Sequence, residues 1–177
     1  MISGQRRAKP RVPMTTPRKP PVARSAARLG AVQALYQMDL SGSDVGETLA
    51  QFASRVAGDN FENGEIGDAD YKHLSTVVEG VVREQALLDP KLDQLLDTGW
   101  PLHRLDATVR AILRSATFEI WFMDKVPSRV AVSEYVDVAT AFFGSGDEPG
   151  FINGVLNNLA RRRRPEEFDV PEVEPND

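Results

Sequence analysis

Few side chains in this sequence are suited to acid–base or metal chemistry. The two histidines, His73 and His103, fall in a predicted helix and a predicted turn, without the spacing that metal ligands show. We interpret His73 as a residue of the helix surface. Glu119 and Glu134 lie in largely apolar helices and are candidates for general acid–base catalysis. Ion pairing is the simpler interpretation, and the partners that we expect are Arg110, Arg114 and Arg129.

Motifs for covalent or phosphate chemistry do not occur. There is no nucleophile motif, and the chain contains no Cys. The glycines of "GSGDEPG" (144–150) follow a predicted helix instead of a strand, and the two acidic residues among them would repel phosphate. We therefore predict a protein that is not an enzyme and that holds neither a metal nor a cofactor.

Arginine, glutamine and tyrosine at the start of the first predicted helix are more informative. In "ARSAARLGAVQALYQMDL" Arg24 and Arg28 are four residues apart, so they occupy neighbouring positions on the helix surface. Tyr36 lies within about 80° of Arg28 on a helical wheel, and Gln33 is nearby. Ordered side chains of these types can stack on, or hydrogen-bond to, the splayed bases of single-stranded RNA. The alternative is that Tyr36 belongs to the core and that the arginines are solvated.

Charge is distributed unevenly along the chain, whose formal net charge is -5 over 177 residues. Residues 1–28 contain 8 basic residues and no acidic one, whereas the rest of the chain contains 13 basic and 26 acidic residues. A basic arm of this kind is typical of a protein that binds a polyanion, but a solvated tail has the same composition.

The distribution of proline and charged residues also indicates where the folded region begins and ends. Residues 1–23 contain five prolines, and residues 166–177 contain six acidic residues. Neither segment can bury enough apolar surface to offset the entropy of ordering, so we predict disorder for both and one folded domain over 24–165. No apolar run approaches the roughly 18 residues of a membrane span, and no secretory signal is recognisable. With the lack of Cys, this predicts a cytoplasmic protein without membrane association.

Apolar residues recur with helical spacing over nearly all of the folded region, and no segment shows the alternation typical of a strand. We expect Ser25 to cap the first helix and Asp68 or Asp70 to begin the third. Asp89-Pro90 is expected to open a separate short helix, because proline favours the first helical position. The sequence therefore predicts an all-α fold of about seven helices.

The last predicted helix lies in "GFINGVLNNLARRRR". It contains Asn153 and Gly154, which are poor helix formers and would let another helix or a ligand approach closely. Four arginines at 161–164 follow. We attribute them mainly to the helix dipole and to pairing with the acidic tail, and less to RNA.

Four segments of the chain resemble the NusB family of transcription antitermination factors. They are "RSAARLGAVQALYQMDL", "LDATVRAILRSATFEI", "VPSRVAVSEYVDVATAFFG" and "GFINGVLNNL", in the order that the family has them. The resemblance implies an all-α fold of two packed helical subdomains. It also implies binding to single-stranded boxA-type RNA in ribosomal RNA leader transcripts, together with the ribosomal protein NusE. Other Nus factors and RNA polymerase are implied partners in the antitermination complex.

The resemblance further implies which residues face the RNA. They are Arg24, Arg28, Gln33, Tyr36, Asp147, Phe151 and Asn153. Gly150 stands where the family often has Lys, and Ser25-Ala26-Ala27 replaces further arginines, so the local positive charge is weaker than in the family pattern. The basic arm before Arg24 would restore it. Contacts with NusE are implied within about residues 92–125.

Two alternative functions are open. One is a stand-alone NusB-like RNA-binding domain related to rRNA cytosine methyltransferases, which the lack of a Cys nucleophile disfavours. The other is a protein-interaction module without an RNA role, for which the basic arm would be dispensable. Self-association of the free protein is also left open.

Overall fold

A computed structural model describes residues 21–58 and 70–169. Within these ranges the chain forms six α-helices: α1 (Pro21–Ser41), α2 (Val45–Gly58), α3 (Tyr71–Asp93), α4 (Ala107–Phe122), α5 (Ser128–Phe143) and α6 (Glu148–Arg163). Two short 3₁₀ helices lie at Leu102–Arg104 and Pro165–Glu167. The two ranges contain no strand, which confirms the all-α class, with six helices where about seven were predicted. None of these helices is both long and apolar enough to span a membrane.

Aspartate side chains cap the N-termini of three of the helices. Asp44 accepts a hydrogen bond from the backbone N–H of Glu47 at the start of α2 (2.8 Å). Asp70 does the same for His73 at the start of α3 (3.1 Å), as the sequence predicts for this position. Asp106 accepts from Thr108 at the start of α4 (2.8 Å). These bonds satisfy backbone donors that have no partner inside a helix.

The predicted break at Asp89-Pro90 is wrong, because α3 continues through Pro90 to Asp93. Leu88 and Leu92 on either side of the proline are both fully buried. Their burial offsets the backbone hydrogen bond that proline cannot donate. Burial of apolar side chains on both sides of Pro90 therefore keeps α3 continuous where two separate helices were predicted.

The ends of the folded region also differ from the prediction. α1 begins at Pro21, so Ser25 lies inside the helix and does not cap it. At the other end, residues 165–167 form a 3₁₀ helix and Phe168 packs against the core, although disorder was predicted from 166. The rest of the predicted arm, residues 1–20, and of the predicted tail, residues 170–177, lie outside the described residues.

The buried apolar side chains form one cluster to which all six helices contribute. α4 lies at its centre and packs against α1, α3, α5 and α6. Gly80 lets α3 approach α4 closely, because a Cβ atom there would lie 2.1 Å from the ring of Phe118. The division into two subdomains stays a prediction.

Candidate nucleic-acid interface

Arg24 lies at the start of α1 with an exposed side chain. Its side chain is 54% exposed, and its Nε lies 3.5 Å from a carboxylate oxygen of Asp70. A long ion pair at the surface holds the guanidinium weakly. The guanidinium of Arg24 is therefore accessible, and its contact with RNA stays a prediction.

Arg28 is not at the surface, contrary to its predicted role. Its side chain is 4% exposed, and it donates hydrogen bonds to Glu119 through both Nε and a terminal nitrogen, each at 3.0 Å. A further bond, at 3.2 Å, reaches Glu134. A buried guanidinium that lost these partners would remain as an uncompensated charge. Arg28 therefore holds α1 against α4 and α5, and its guanidinium is not accessible from the surface of this structure.

Glu119 is the centre of this buried polar network. Besides Arg28, it is bonded by the ring of His73 (2.7 Å) and by the hydroxyl of Tyr135 (2.8 Å). Burial by itself would raise the pKa of Glu119. The hydrogen bonds from His73 and Arg28 outweigh burial and lower that pKa from 4.5 to about 2. The carboxylate is thus ionised and bonded within the core, which is a structural arrangement and not that of a poised acid or base.

The network corrects two further expectations. His73 is buried, although the sequence indicated a helix surface residue. Glu119 and Glu134 form ion pairs, as expected, but with Arg28. The arginines expected as their partners behave differently: Arg110 pairs with Asp39 (3.1 Å), Arg114 pairs with Asp89 (2.9 Å), and Arg129 stacks on the ring of Phe168.

Gln33 and Tyr36 line an open groove beside the second half of α1. The groove has a volume of 610 Å³, and Gln37, Leu40, Ser41, Thr108 and Phe142 complete its lining. Tyr36 is 38% exposed and Phe142 is 40% exposed, so neither ring is a core residue. Two partly exposed rings offer stacking surfaces, and the neighbouring glutamine offers a donor and an acceptor. This is the chemistry that recognition of an unpaired base requires.

The three predicted residues near α6 are also accessible. Asp147 precedes the helix, is exposed, and makes no side-chain capping bond. Phe151, in the first turn, is 43% exposed. Asn153 is exposed, and its side-chain oxygen accepts a hydrogen bond from Asn157 (2.9 Å). Six of the seven predicted RNA-facing residues are thus accessible, in two groups: one on α1 and one at the start of α6.

The segment after α6 is ordered by contacts that the sequence analysis missed. Phe168 is contacted by two guanidiniums, with the Cζ of Arg129 4.9 Å and that of Arg161 4.7 Å from its ring centroid. Phe168 is the one aromatic residue of the acidic segment 166–177, and this was the signal available in the sequence. Trp121 is contacted in the same way by Lys91 (4.1 Å) and Arg163 (5.0 Å).

Arg164 and Glu167 form hydrogen bonds with backbone groups at the end of α4 and at the start of α5. Arg164 is buried and donates to the carbonyl oxygens of Ile120 (3.0 Å) and Val126 (2.7 Å), near the end of α4. Glu167 accepts the backbone N–H of Ser128 (2.7 Å) at the start of α5 and pairs with Arg164 (3.1 Å). Pairing of an arginine with the acidic segment is confirmed for this one of the four.

Comparison with known proteins places these features in a family context. A model of the NusB family matches residues 25–161. A "transcription antitermination protein NusB" from Rhodopseudomonas palustris strain TIE-1 is 50% identical over 145 residues, covering 82% of this chain and 83% of that protein. The protein of the same name from Nitrobacter hamburgensis is 48% identical, covering 82% of this chain and 90% of its own length.

Solved structures share the fold. T. maritima NusB superposes with a TM-score of 0.67 at 24% identity, covering 89% of this chain and all (100%) of the other. A structure described as antitermination factors NusB and NusE in complex with dsRNA gives a TM-score of 0.64 at 26% identity, covering 79% of this chain and 97% of the other. An all-α arrangement of this kind is therefore found in proteins that have been crystallised with RNA.

Proposed function

Because this chain belongs to the NusB family of transcription antitermination proteins, we propose that it binds single-stranded boxA-type RNA in ribosomal RNA leader transcripts together with the ribosomal protein NusE. Family membership also confirms that the chain is not an enzyme, since its relatives are named for a role in transcription. Other Nus factors, RNA polymerase and a cytoplasmic location are parts of the same proposal.

The groove beside α1 is the observation that carries this proposal. Tyr36 and Phe142 present partly exposed rings on its wall, and Gln33 presents an amide. Stacking and amide hydrogen bonds suit a base that is not paired with another strand. The related NusB–NusE structure is described with double-stranded RNA, so the preference for a single strand has to be tested directly.

The partner surface is proposed from the same family context. NusE contacts are implied within about residues 92–125, and two large apolar side chains in that range are exposed. Trp100 is 63% exposed and Phe122 is 43% exposed. Exposed aromatic residues are typical anchors of protein interfaces. We therefore take Trp100 and Phe122 as the first candidates for contact with NusE.

The proposal is tested by RNA binding in solution. Fluorescence anisotropy is measured with a single-stranded boxA-like RNA, its scrambled counterpart and the boxA duplex, each with and without NusE. We expect the boxA strand to bind most tightly and NusE to strengthen that binding. Equal affinity for the boxA and scrambled strands in the presence of NusE would contradict the proposal.

A matched pair of variants assigns the binding to the groove. Tyr36→Asp places a charge on the groove wall and is expected to abolish binding. Leu87→Asp places the same charge at an equally exposed position (41%) on α3 and should leave binding unchanged. If both variants lose binding to the same degree, the groove is not the RNA site.

A further inference from the structure

A second groove runs between α5 and α6. It has a volume of 280 Å³, and its lining combines two valines, Val132 and Val136, with the polar residues Arg129, Ser133, Asp137, Asn153 and Asn157. The two helices are joined by the short loop 144–147 and pack side by side, so they run in opposite directions. Asn153 lies towards one end of the groove and Arg129 at the other.

The arginine end of this groove is held in a fixed geometry. The guanidiniums of Arg129 and Arg161 both lie over the ring of Phe168, with Cζ-to-centroid distances of 4.9 and 4.7 Å. Both residues are exposed, and among the described residues neither forms an ion pair with a carboxylate. A guanidinium that stacks through its face keeps its N–H edge available for bidentate bonds to a phosphate.

The proposed RNA face leads into this groove. Phe151 and Asn153 are proposed contacts, and Arg161 lies eight residues further along α6, which is about 12 Å along the helix axis. Asp137 on the groove wall would repel a phosphate at its own position. A phosphate entering the groove is therefore drawn towards its arginine end.

We propose that Arg129 and Arg161, stacked on Phe168, form a phosphate-binding site for the RNA strand beyond its contacts at the start of α6. This inference rests on the proposed function, because it extends the path of the same RNA. The site recognises the sugar–phosphate backbone and not the bases, so it adds affinity and salt dependence without sequence preference.

The test compares charge-removing and charge-conserving variants of the full chain. Arg129→Gln with Arg161→Gln removes two positive charges, whereas Arg129→Lys with Arg161→Lys keeps them. RNA affinity is measured by anisotropy over a salt series. For the glutamine pair we expect about a tenfold weaker affinity near 0.15 M salt and a log–log salt slope smaller by about 1.4, since each phosphate contact to a single strand contributes ~0.7. The lysine pair should keep the wild-type slope.

Arg162→Gln is the matched control, because Arg162 is also exposed, lies on the same helix and bonds to Asn158 on a different face (3.2 Å). It should leave the slope unchanged at salt concentrations that screen distant charges. A loss equal to that of the glutamine pair would overturn the proposal, because overall charge would then explain both.

Two other results would also overturn it. One is an unchanged RNA affinity in the variant with both arginines replaced by glutamine. If deletion of residues 170–177 then strengthens RNA binding, the two arginines interact with the acidic segment and not with RNA. The other is a salt slope that decreases as much in the lysine variant as in the glutamine variant. That result would show that Arg129 and Arg161 act through packing on Phe168 and not through their charge. A wild-type protein that binds no RNA at all would refute the proposed function itself, so the two failures are distinguishable.

Discussion

Replacing Glu119 with glutamine should cost the protein much of its stability and change how that stability depends on pH. Glu119 is fully buried and accepts hydrogen bonds from Arg28, His73 and Tyr135. Its pKa is lowered from 4.5 to about 2. A shift of this size corresponds to about 3 kcal/mol of stability when the carboxylate is ionised. Because Glu119→Gln also leaves the buried charge of Arg28 without its main partner, we expect a loss of roughly 3–5 kcal/mol at pH 7.

The pH dependence follows from the direction of the shift. The folded protein holds the ionised carboxylate more strongly than the unfolded chain does. This contribution is therefore complete above pH 4.5 and is lost as the pH falls towards 2. Glutamine cannot titrate, so the stability difference between wild type and variant should narrow by about 2 kcal/mol between pH 7 and pH 3. Urea unfolding followed by far-UV circular dichroism at pH 7, 5 and 3 measures this difference.

Glu134→Gln provides the control for this experiment. Glu134 also bonds to Arg28 (3.2 Å), but its side chain is 27% exposed and Arg28 keeps its hydrogen bonds to Glu119. We expect a loss of about 1 kcal/mol or less. If Glu119→Gln is as stable as wild type at pH 7, or if their difference stays constant down to pH 3, the network does not stabilise the fold in the way described.

Three further changes have definite expected outcomes. Tyr36→Asp should abolish RNA binding while the circular dichroism spectrum and melting temperature stay close to wild type, because Tyr36 is 38% exposed; an unfolded variant would show a core role. Asp147→Asn should strengthen RNA binding modestly at low salt with little change in melting temperature, because its side chain makes no capping bond; weaker or equal binding would place this loop away from the RNA. Gly80→Ala should destabilise the fold by about 1–3 kcal/mol in urea unfolding, because the new Cβ would overlap the ring of Phe118; an unchanged midpoint would contradict that close packing.

Helical periodicity was sufficient to predict the class of the fold. The pattern from Leu105 to Met123 corresponds to α4, the most buried of the helices. Pro90 shows where the method fails. Local rules place a helix start there, but the buried Leu88 and Leu92 keep α3 continuous. That outcome depends on the helices packed against these leucines, which local sequence does not reveal.

Arg24 and Arg28 show the same limit at the proposed site. On the sequence they are equivalent cations one helical turn apart. In the structure Arg24 is exposed, whereas Arg28 faces Glu119, 91 residues further along the chain. A helical wheel gives the angle between two side chains but not which of them meets a distant carboxylate. The exposure of Gln33 and Tyr36 was predicted, because most of the residues around them belong to the same helix, but the groove that they line was not predicted.

The hydrogen bonds made by Arg164 and Glu167 determine when the fold can be completed during synthesis of the chain. Arg164 satisfies carbonyl groups near the end of α4, and Glu167 caps α5, although both residues follow the last α-helix. During synthesis, a nascent chain that ends before these two residues can contain all six helices and still lack the bonds that close two of them. In such a chain the end of α4 and the start of α5 lack these hydrogen bonds. We expect the nascent chain to be more susceptible to proteolysis until residues 164–167 have left the ribosome.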